Sequence, residues 1–181
     1  MIRGDKVALR ALEETDLEAL HRWMNDPEVT KYLGMRFPIS LSDERRWLEK
    51  EHDPLKELHM AIETNEGKLI GSCGLVSINH LDGWASLGIS IGDKEYRNGG
   101  YGTDAMLTLC GFGFTQCNLH RIQLDVFAEN ARAIRCYEKV GFVREGRRRE
   151  GIFKNGRYQD LLVMGLLADE YREKWPERWG Q

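Results

Sequence analysis

The chain has 181 residues, a length typical of one domain with a substantial core, and we predict a single domain over residues 1–181. Its 26 basic and 29 acidic residues give a net charge of −3, which argues against a nucleic-acid-binding protein, because such domains are normally strongly basic. No run approaches the ~18 consecutive apolar residues that cross a membrane, and the N-terminal residues lack the apolar stretch of a signal peptide. We therefore expect a cytoplasmic protein with no membrane or nucleic-acid partner.

The cysteines and histidines are scattered along the chain. They are Cys73, Cys110, Cys117 and Cys136, and His21, His52, His59, His80 and His120. None of the cysteines shows C-x-x-C spacing, and the chain has no H-E-x-x-H motif or comparable pair of ligands. We predict no disulfide and no metal. Cys110 and Cys117, seven residues apart on one predicted helix face, are expected to pack in the core.

Alternation of polar and apolar residues predicts strands, and a period of three to four predicts helices. In chain order the prediction begins with a strand at 6–10, a helix from Asp16 with a Thr15/Glu18 capping box, and a helix at 42–50. Strands at 58–63, 68–78 and 84–91, a helix at 104–117 and a strand at 121–127 follow. The last elements are a helix between an N-cap at Asn130 and a C-cap at Gly141, strands at 143–152 and 158–167 around the turn Asn155-Gly156, and a helix at 168–175. Strand, helix, strand over 84–127 predicts a right-handed crossover with the two strands parallel.

Residues 28–41 show no clear period but contain aromatic and apolar side chains. Such a segment at the edge of a domain is suited to forming a substrate pocket, or it is a plain connection between helices. Whether a regulator binds there stays open.

Three glycines, Gly99, Gly100 and Gly102, lie between the strand that ends at Ile91 and the next helix. A glycine turn that opens a helix exposes backbone N–H groups at the positive end of the helix dipole, which suits a phosphate or diphosphate. Arg97 adds a positive charge. The alternative is an ordinary glycine-rich turn before a surface helix.

Two known phosphate-binding loops can be weighed against this turn. A P-loop needs Lys-Ser or Lys-Thr after its last glycine, which is missing here. The dinucleotide fingerprint matches formally at Gly100, Gly102 and Ala105, with Asp125 further on, but residues 92–98 separate the strand from the glycines and no second nucleotide-binding half follows. An NAD-dependent oxidoreductase is therefore kept only as an alternative.

Arg97-x-x-Gly100-x-Gly102, followed after the next strand by Asn130-x-x-Ala133-x-x-x-Tyr137-x-x-x-Gly141-Phe142, resembles the GNAT superfamily of acetyl-CoA-dependent N-acetyltransferases. The likeness covers nearly the whole chain. Residues 9–17, residues 25–29 and the closing hairpin resemble the branch with ribosomal-protein N-terminal acetyltransferases and spermidine N-acetyltransferases.

The resemblance implies an α/β (α+β) fold: a mixed, mostly antiparallel sheet splayed at two central parallel strands, 85–91 and 121–127, with helices on both faces. The pantetheine arm of acetyl-CoA, the co-substrate, would lie in the gap and pair with backbone at 89–91, while amides at 98–103 hold the diphosphate. The implied cofactor-binding residues are Ile89, Ser90, Ile91, Arg97, Asn98, Gly99, Gly100, Tyr101, Gly102, Thr103, Asn130, Ala133 and Tyr137. Arg132, Arg135 and Lys139 either meet the 3′-phosphate or form a solvated helix face.

The implied catalytic residues are Tyr137, Ile91 and Ser86. A backbone N–H near Ile91 would stabilise the oxyanion, and Tyr137, whose ordinary pKa of ~10 keeps it protonated, would donate to the departing thiolate of pKa ~8.5. The alternative for Tyr137 is a buried helix tyrosine with a structural role.

The general base is open. A primary alkylamine is neutral in only about one molecule in 2,500 at pH 7, against roughly one in six for an α-amino group, so the former needs a base more. Many family members carry a glutamate near the position of Ser86. Ser86 or Ser90 could instead hold a water. The weaker candidates are Glu28, His80, Asp125 and Asp160.

The resemblance implies direct transfer in a ternary complex, without a covalent enzyme intermediate. The acceptor would be a small-molecule amine such as a polyamine or amino sugar, or a protein N-terminus. Residues 34–38 lack the acidic cluster expected of a polycation site, which argues against spermidine. A homodimer and a non-catalytic acyl-CoA-binding module remain open.

Overall fold

The computed structural model describes residues 1–50 and 52–180, so the predicted end of the domain at residue 181 lies outside the described residues. Within these residues, eight strands form one sheet in the order β1-β2-β3-β4-β5-β6-β8-β7. The strands are β1 Ile2–Arg3, β2 Val7–Ala11, β3 Leu58–Thr64, β4 Leu69–Asn79, β5 Trp84–Ile91, β6 Arg121–Phe127, β7 Val143–Lys154 and β8 Arg157–Leu167. The helices are α1 Leu17–Met24, α2 Pro27–Thr30, α3 Leu41–Glu49, α4 Tyr101–Gln116, α5 Ala131–Val140 and α6 Ala168–Lys174.

The centre of the sheet opens between β5 and β6. These strands pair in parallel over three rungs only, the last joining Ser86 to Gln123, although β5 continues to Ile91 and β6 to Phe127. All other pairs among the described strands are antiparallel. The predicted splayed, mostly antiparallel sheet is therefore confirmed.

Both faces of the sheet are covered. Successive residues of a strand point to opposite faces, yet Val7, Ala8 and Leu9 of β2 are each at most 2% exposed. The main core packs α4 against the sheet through side chains such as Met106 and Leu109, both fully buried. A second cluster, Leu20, Trp23 and Val29, holds α1 and α2. The prediction of helices on both faces holds.

The first turn of α4 is tied to both ends of the described chain. The buried carboxylate of Asp104 accepts from the backbone N–H groups of Lys6 at 2.7 Å and Val7 at 3.1 Å, and from Arg178 at 2.8 Å. Burying this charge is tolerable because every partner is a donor. The network fixes the helix whose N-terminus faces the glycine turn.

Two predicted helix starts differ from the structure. The capping box of Thr15 and Glu18 is wrong: residues 14–16 form a 3₁₀ turn, capped reciprocally by Glu13 and Asp16, and Arg10 holds the Asp16 carboxylate at 2.7 Å. Helix α4 begins at Tyr101 rather than 104, because the glycine turn leads directly into it.

Cys110 is buried in the core as predicted, and Cys117 is half-buried and packs against the same core. Cys73, for which no burial was predicted, is buried as well. No described helix has the length and apolar character needed to cross a membrane.

Candidate active site

Two cavities, each of about 640 Å³, meet at the edge of β5. The first, here called the loop cavity, is bounded by the glycine turn at 97–103, the gap between β5 and β6, and α5. The second, the side cavity, lies between α1, α3, residues 33–39 and the strands β3 to β5. Both are lined by Leu33, Gly88, Ile89 and Ser90. A ligand in one cavity would therefore reach a ligand in the other at this stretch of β5.

Gly88 keeps the junction open. A Cβ added at Gly88 would have no heavy atom within 4 Å, so the strand presents bare backbone there. Since β6 pairing stops at Ser86, the β6-facing edge of residues 87–91 has no neighbouring strand. An extended polar chain can hydrogen-bond to such an edge as an added strand does.

The glycine turn has the backbone geometry of an anion site. Asn98 and Gly100 adopt left-handed conformations, with φ of 64° and 86°. Gly100 is the N-cap of the 16-residue helix α4 and offers no side chain to its first N–H groups. Those donors and the helix dipole are left for a ligand. Asn98, Gly100, Gly102 and Thr103 line the loop cavity.

Gly99 and Tyr101 do not line the loop cavity. The Gly99 carbonyl accepts from Lys6 Nζ at 3.0 Å, and the Tyr101 ring packs edge-on against Tyr96 at 5.1 Å. Lys6, a residue that sequence reasoning missed, thereby brings a positive charge behind the turn. No local sequence signal indicates it, because the contact spans more than ninety residues of chain.

Arg97 lines the loop cavity but is anchored to the protein. Its Nε donates to the Ile91 carbonyl at 3.1 Å and its Nη1 to Glu28 Oε1 at 3.2 Å, and the side chain is 10% exposed. It joins the turn to the end of β5. Lys94, and to a smaller degree Arg97, hold the pKa of Glu28 below its usual range, which makes Glu28 a poor general base.

Helix α5 brings Asn130, Ala133 and Tyr137 to the loop cavity. Asn130 Oδ1 accepts from the Ala133 N–H at 3.2 Å as the predicted N-cap, which leaves its amide N–H₂ without a partner among the described residues. Burial raises the pKa of Tyr137 to about 12. Its hydroxyl likewise has no hydrogen-bond partner within the described chain. Tyr137 therefore lines the cavity with its hydroxyl protonated at neutral pH.

Arg132, Arg135 and Lys139 extend the loop cavity with positive charge, since all three side chains contribute to its lining. They lie on the exposed part of α5. An anionic group of a ligand bound at the glycine turn would contact these three side chains. This arrangement agrees with the interpretation that they meet the 3′-phosphate of acetyl-CoA.

The side cavity is mostly apolar and contains two acidic residues from α3, Asp43 and Glu44. Asp43 is engaged by Ser40 at 2.5 Å and Arg46 at 2.6 Å. Glu44 is only 6% exposed and has no hydrogen-bond partner among the described residues. Burial raises the pKa of Glu44, and the charge of His21 opposes this weakly. Sequence reasoning missed Glu44.

The predicted base candidates are dispersed. Ser86 lies at the last parallel rung and lines neither cavity, whereas Ser90 lines both. Asp125 is bound by Arg148 at 3.0 Å, and His80 Nε2 contacts the Leu55 carbonyl. The pKa of Asp160 is lowered by the Glu150 N–H and by Arg147.

Thiol nucleophiles are disfavoured. Cys73 lines the side cavity and Cys136 the loop cavity, but burial raises the pKa of Cys73 to about 12 and that of Cys136 above its usual range. Neither thiol would form an appreciable amount of thiolate at neutral pH.

These features, a splayed sheet with an uncapped helix N-terminus at one side of β5 and a second cavity at the other, fit the acyltransferase that the sequence resemblance implies. A family model described as an acetyltransferase (GNAT) domain matches residues 6–143. The chain therefore belongs to the GNAT acetyltransferases.

Its relatives include the spermidine N(1)-acetyltransferase of Vibrio cholerae serotype O1, 34% identical over 93% of this chain and 96% of that protein. The spermidine N(1)-acetyltransferase of Escherichia coli K12 is 33% identical over 94% of this chain and 91% of that protein. A crystal structure of the V. cholerae spermidine N-acetyltransferase in complex with CoA and spermine matches with a TM-score of 0.85 at 33% identity, covering 91% of this chain and 97% of that one.

The predicted family, fold and activity are thus confirmed. The protein is an acetyl-CoA-dependent N-acetyltransferase that transfers an acetyl group to an amine. This activity holds over the two alternatives, an NAD-dependent oxidoreductase and a non-catalytic acyl-CoA-binding module.

Proposed function

We propose that this enzyme acetylates a primary amine of a linear polyamine, which binds in the side cavity while acetyl-CoA binds in the loop cavity. The observation that carries the proposal is the meeting of these two cavities at Gly88, Ile89 and Ser90. Direct attack needs both reactants held together, and such positioning supplies much of the rate of a two-substrate reaction. We also propose that residues 1–181 act as one domain, since a single sheet runs from Ile2 to Leu167.

In the loop cavity, the N–H groups at the start of α4 bind the diphosphate, and Arg132, Arg135 and Lys139 meet the 3′-phosphate. The free edge of β5 pairs with the pantetheine amides, and the Asn130 amide donates to the same arm. Each of these roles is given to a residue that lines the loop cavity or to a helix N–H group without a side-chain cap. We retain the prediction that a backbone N–H near Ile91 stabilises the oxyanion and that Tyr137 donates to the sulfur.

The side cavity suits a polyamine because it combines an apolar lining with one nearly buried, unpaired carboxylate. The methylene chain of a polyamine can contact the apolar side chains, and a remote ammonium group can pair with Glu44. An unpaired buried charge is costly, so a cationic ligand that neutralises it binds with a larger gain than at an exposed site. Two of the relatives are spermidine N(1)-acetyltransferases, which also supports a polyamine acceptor. Residues 34–38 lack the acidic cluster expected of a polycation site, and in this proposal Glu44 supplies the negative charge instead.

Proton removal from the attacking ammonium is assigned to water held at the cavity junction. Ser90 lines both cavities and can orient such a water, whereas the predicted alternative Ser86 lines neither. Glu28 and Asp160 are disfavoured as bases because their pKa values are lowered by bound cations and N–H groups.

The test is turnover with an amine panel. The purified chain is given acetyl-CoA and, in turn, spermidine, spermine, a short diamine, an amino sugar and a peptide with a free N-terminus, and thiol release is followed while mass spectrometry identifies the product. We expect the highest kcat/KM with a polyamine. A preference for the peptide or the amino sugar would contradict the acceptor. Tight CoA binding without turnover on any amine would contradict catalysis.

A further inference from the structure

His52, Glu57 and His59 converge on one point where the connection after α3 enters β3. His52 Nδ1 lies 2.8 Å from Glu57 Oε1, and His59 Nε2 lies 3.3 Å from Glu57 Oε2. The donor atoms of the three side chains all lie within 4.8 Å of one another. In the part of the chain that the structure describes, no other three such side chains come this close together.

These separations resemble those between neighbouring ligands of one metal ion. Zinc binds imidazole nitrogen and carboxylate oxygen at about 2.0–2.2 Å, so two ligands in a tetrahedral site lie about 3.4 Å apart. The two contacts to Glu57, at 2.8 and 3.3 Å, approach that spacing. The separations among all three donor atoms are at most 4.8 Å, so binding one ion requires the widest of them to close toward about 3.4 Å.

The orientation of His52 also fits a ligand. Its Nε2 lies 3.0 Å from the Trp47 carbonyl oxygen, which can only accept, so Nε2 is the donor in that contact. Nδ1 therefore faces Glu57 Oε1 and donates to it through a second ring proton, which a metal ion binding at Nδ1 would displace. A ligating histidine usually donates its other N–H to a carbonyl or carboxylate in this way, because the bond fixes the tautomer and the ring.

The Trp47 ring restrains both imidazoles. It packs edge-on against His52 at 5.4 Å and His59 at 5.1 Å, and the two imidazole rings lie 4.9 Å apart. The side chains of the three proposed ligands are 20–30% exposed, so an ion from solvent can reach them without unfolding. The site is therefore oriented in advance and accessible.

We propose that His52 Nδ1, Glu57 and His59 Nε2 bind one divalent transition-metal ion of the zinc class. Two imidazoles and one carboxylate suit zinc, nickel or copper rather than magnesium or calcium, which prefer all-oxygen sites. Three protein ligands leave at least one coordination position to water. The bound ion would link His52 and Glu57, which precede β3, to His59 within β3. The site lies beside the side cavity, which His59 and Trp47 line. The proposal does not depend on which amine is acetylated.

The sequence prediction of no metal rested on the lack of a short histidine motif. Positions 52, 57 and 59 follow no such spacing, and the chain brings them together only by turning from α3 into β3. The same turn explains why the site escapes a search for helical ligand pairs.

The test uses tag-free, chelator-treated full-length protein titrated with zinc by calorimetry. We expect one zinc per chain, with affinity lowered at least about 100-fold in His52→Gln and in His59→Gln, since even loss of an outer partner of a metal ligand costs about 10–100-fold. His80→Gln is the matched control: the same substitution at an exposed histidine outside the cluster should leave zinc affinity unchanged.

Cobalt(II) distinguishes this site from one built on the four free cysteines. Binding at the proposed site should give visible cobalt absorption without the near-ultraviolet thiolate band. Absence of stoichiometric zinc binding by the unmodified chain, a thiolate band, or equal zinc affinity in all three variants would each overturn the proposal. Circular dichroism and thermal melting without metal establish that the variants are folded, and Glu57→Gln supplies a second ligand variant should either histidine variant misfold.

Discussion

Replacing Tyr137 with phenylalanine removes one hydroxyl from the loop cavity and nothing else. With its pKa raised to about 12, full transfer of the tyrosine proton to a thiolate of pKa ~8.5 is uphill by about 5 kcal/mol. Donation of a hydrogen bond to the developing thiolate avoids this cost. Hydrogen bonds to charged groups contribute about 1.5–3 kcal/mol, so Tyr137→Phe should lower kcat roughly 10–200-fold. A residue that transferred its proton fully would be expected to contribute about 10²–10⁴-fold.

The assay is steady-state thiol release with the preferred amine saturating and acetyl-CoA varied. Because the hydroxyl acts only as the sulfur gains charge, KM for acetyl-CoA should change less than about threefold while kcat falls. Tyr158→Phe, at an exposed tyrosine of the β7–β8 hairpin, is the matched control and should retain the parent kcat. A kcat within twofold of the parent in Tyr137→Phe, or a loss seen only in KM, would refute this reasoning.

Three further substitutions test the rest of the site. Glu44→Gln should raise KM for a polyamine about 10–200-fold, whereas Asp43→Asn should not, because the Asp43 carboxylate is already paired with Arg46. Burial raises the folded pKa of Glu44 above 4.5, so the parent protein loses stability as the pH rises through that folded pKa. The Glu44→Gln variant should therefore melt at a higher temperature than the parent at pH 8 but not at pH 4. Gly100→Ala should lower Tm by about 2–8 °C and raise KM for acetyl-CoA. Gly67→Ala, at a φ of 85° in open space and outside the lining of both cavities, should lower Tm alone. Lys154→Met should lower Tm and raise KM for the amine, because Lys154 Nζ donates to the carbonyls of Thr30 at 2.5 Å and Leu33 at 2.6 Å. A Tm unchanged within 1 °C by differential scanning fluorimetry would contradict this anchoring role of Lys154.

The order of the elements followed from local patterns. The Asn155-Gly156 pair predicts a two-residue hairpin, and both residues adopt the left-handed conformation that such a turn requires, at φ of 52° and 77°. Asn130 caps α5 and Gly141 ends it, as predicted. The capping box at Thr15 failed because Asp16 is bound by Arg10 of strand β2 and, with Glu13, caps a 3₁₀ turn that precedes the helix. Local propensity cannot register that competing ion pair.

The loop cavity was predictable and the side cavity was not, for a physical reason. The glycine turn and α5 carry their information in contiguous residues, since backbone conformation and helix capping are local. Glu44 is chemically ordinary in sequence and becomes distinctive only when α3 packs against α1 at the side cavity and leaves Glu44 nearly inaccessible to water. Lys6 and Lys154 likewise gain their roles from contacts between residues far apart in the chain.

The division of the site between two cavities also predicts how its parts combine. Tyr137 lines only the loop cavity and Glu44 only the side cavity, and no described hydrogen bond or ion pair links them. Substitutions without shared partners are usually additive in free energy to within about 0.5 kcal/mol. The double variant Tyr137→Phe/Glu44→Gln should therefore lose kcat/KM for the amine by the product of the two single losses, within about threefold. A double loss close to that of either single variant would mean that the two residues act on one step as a unit, and the assignment of separate donor and acceptor roles would then be wrong.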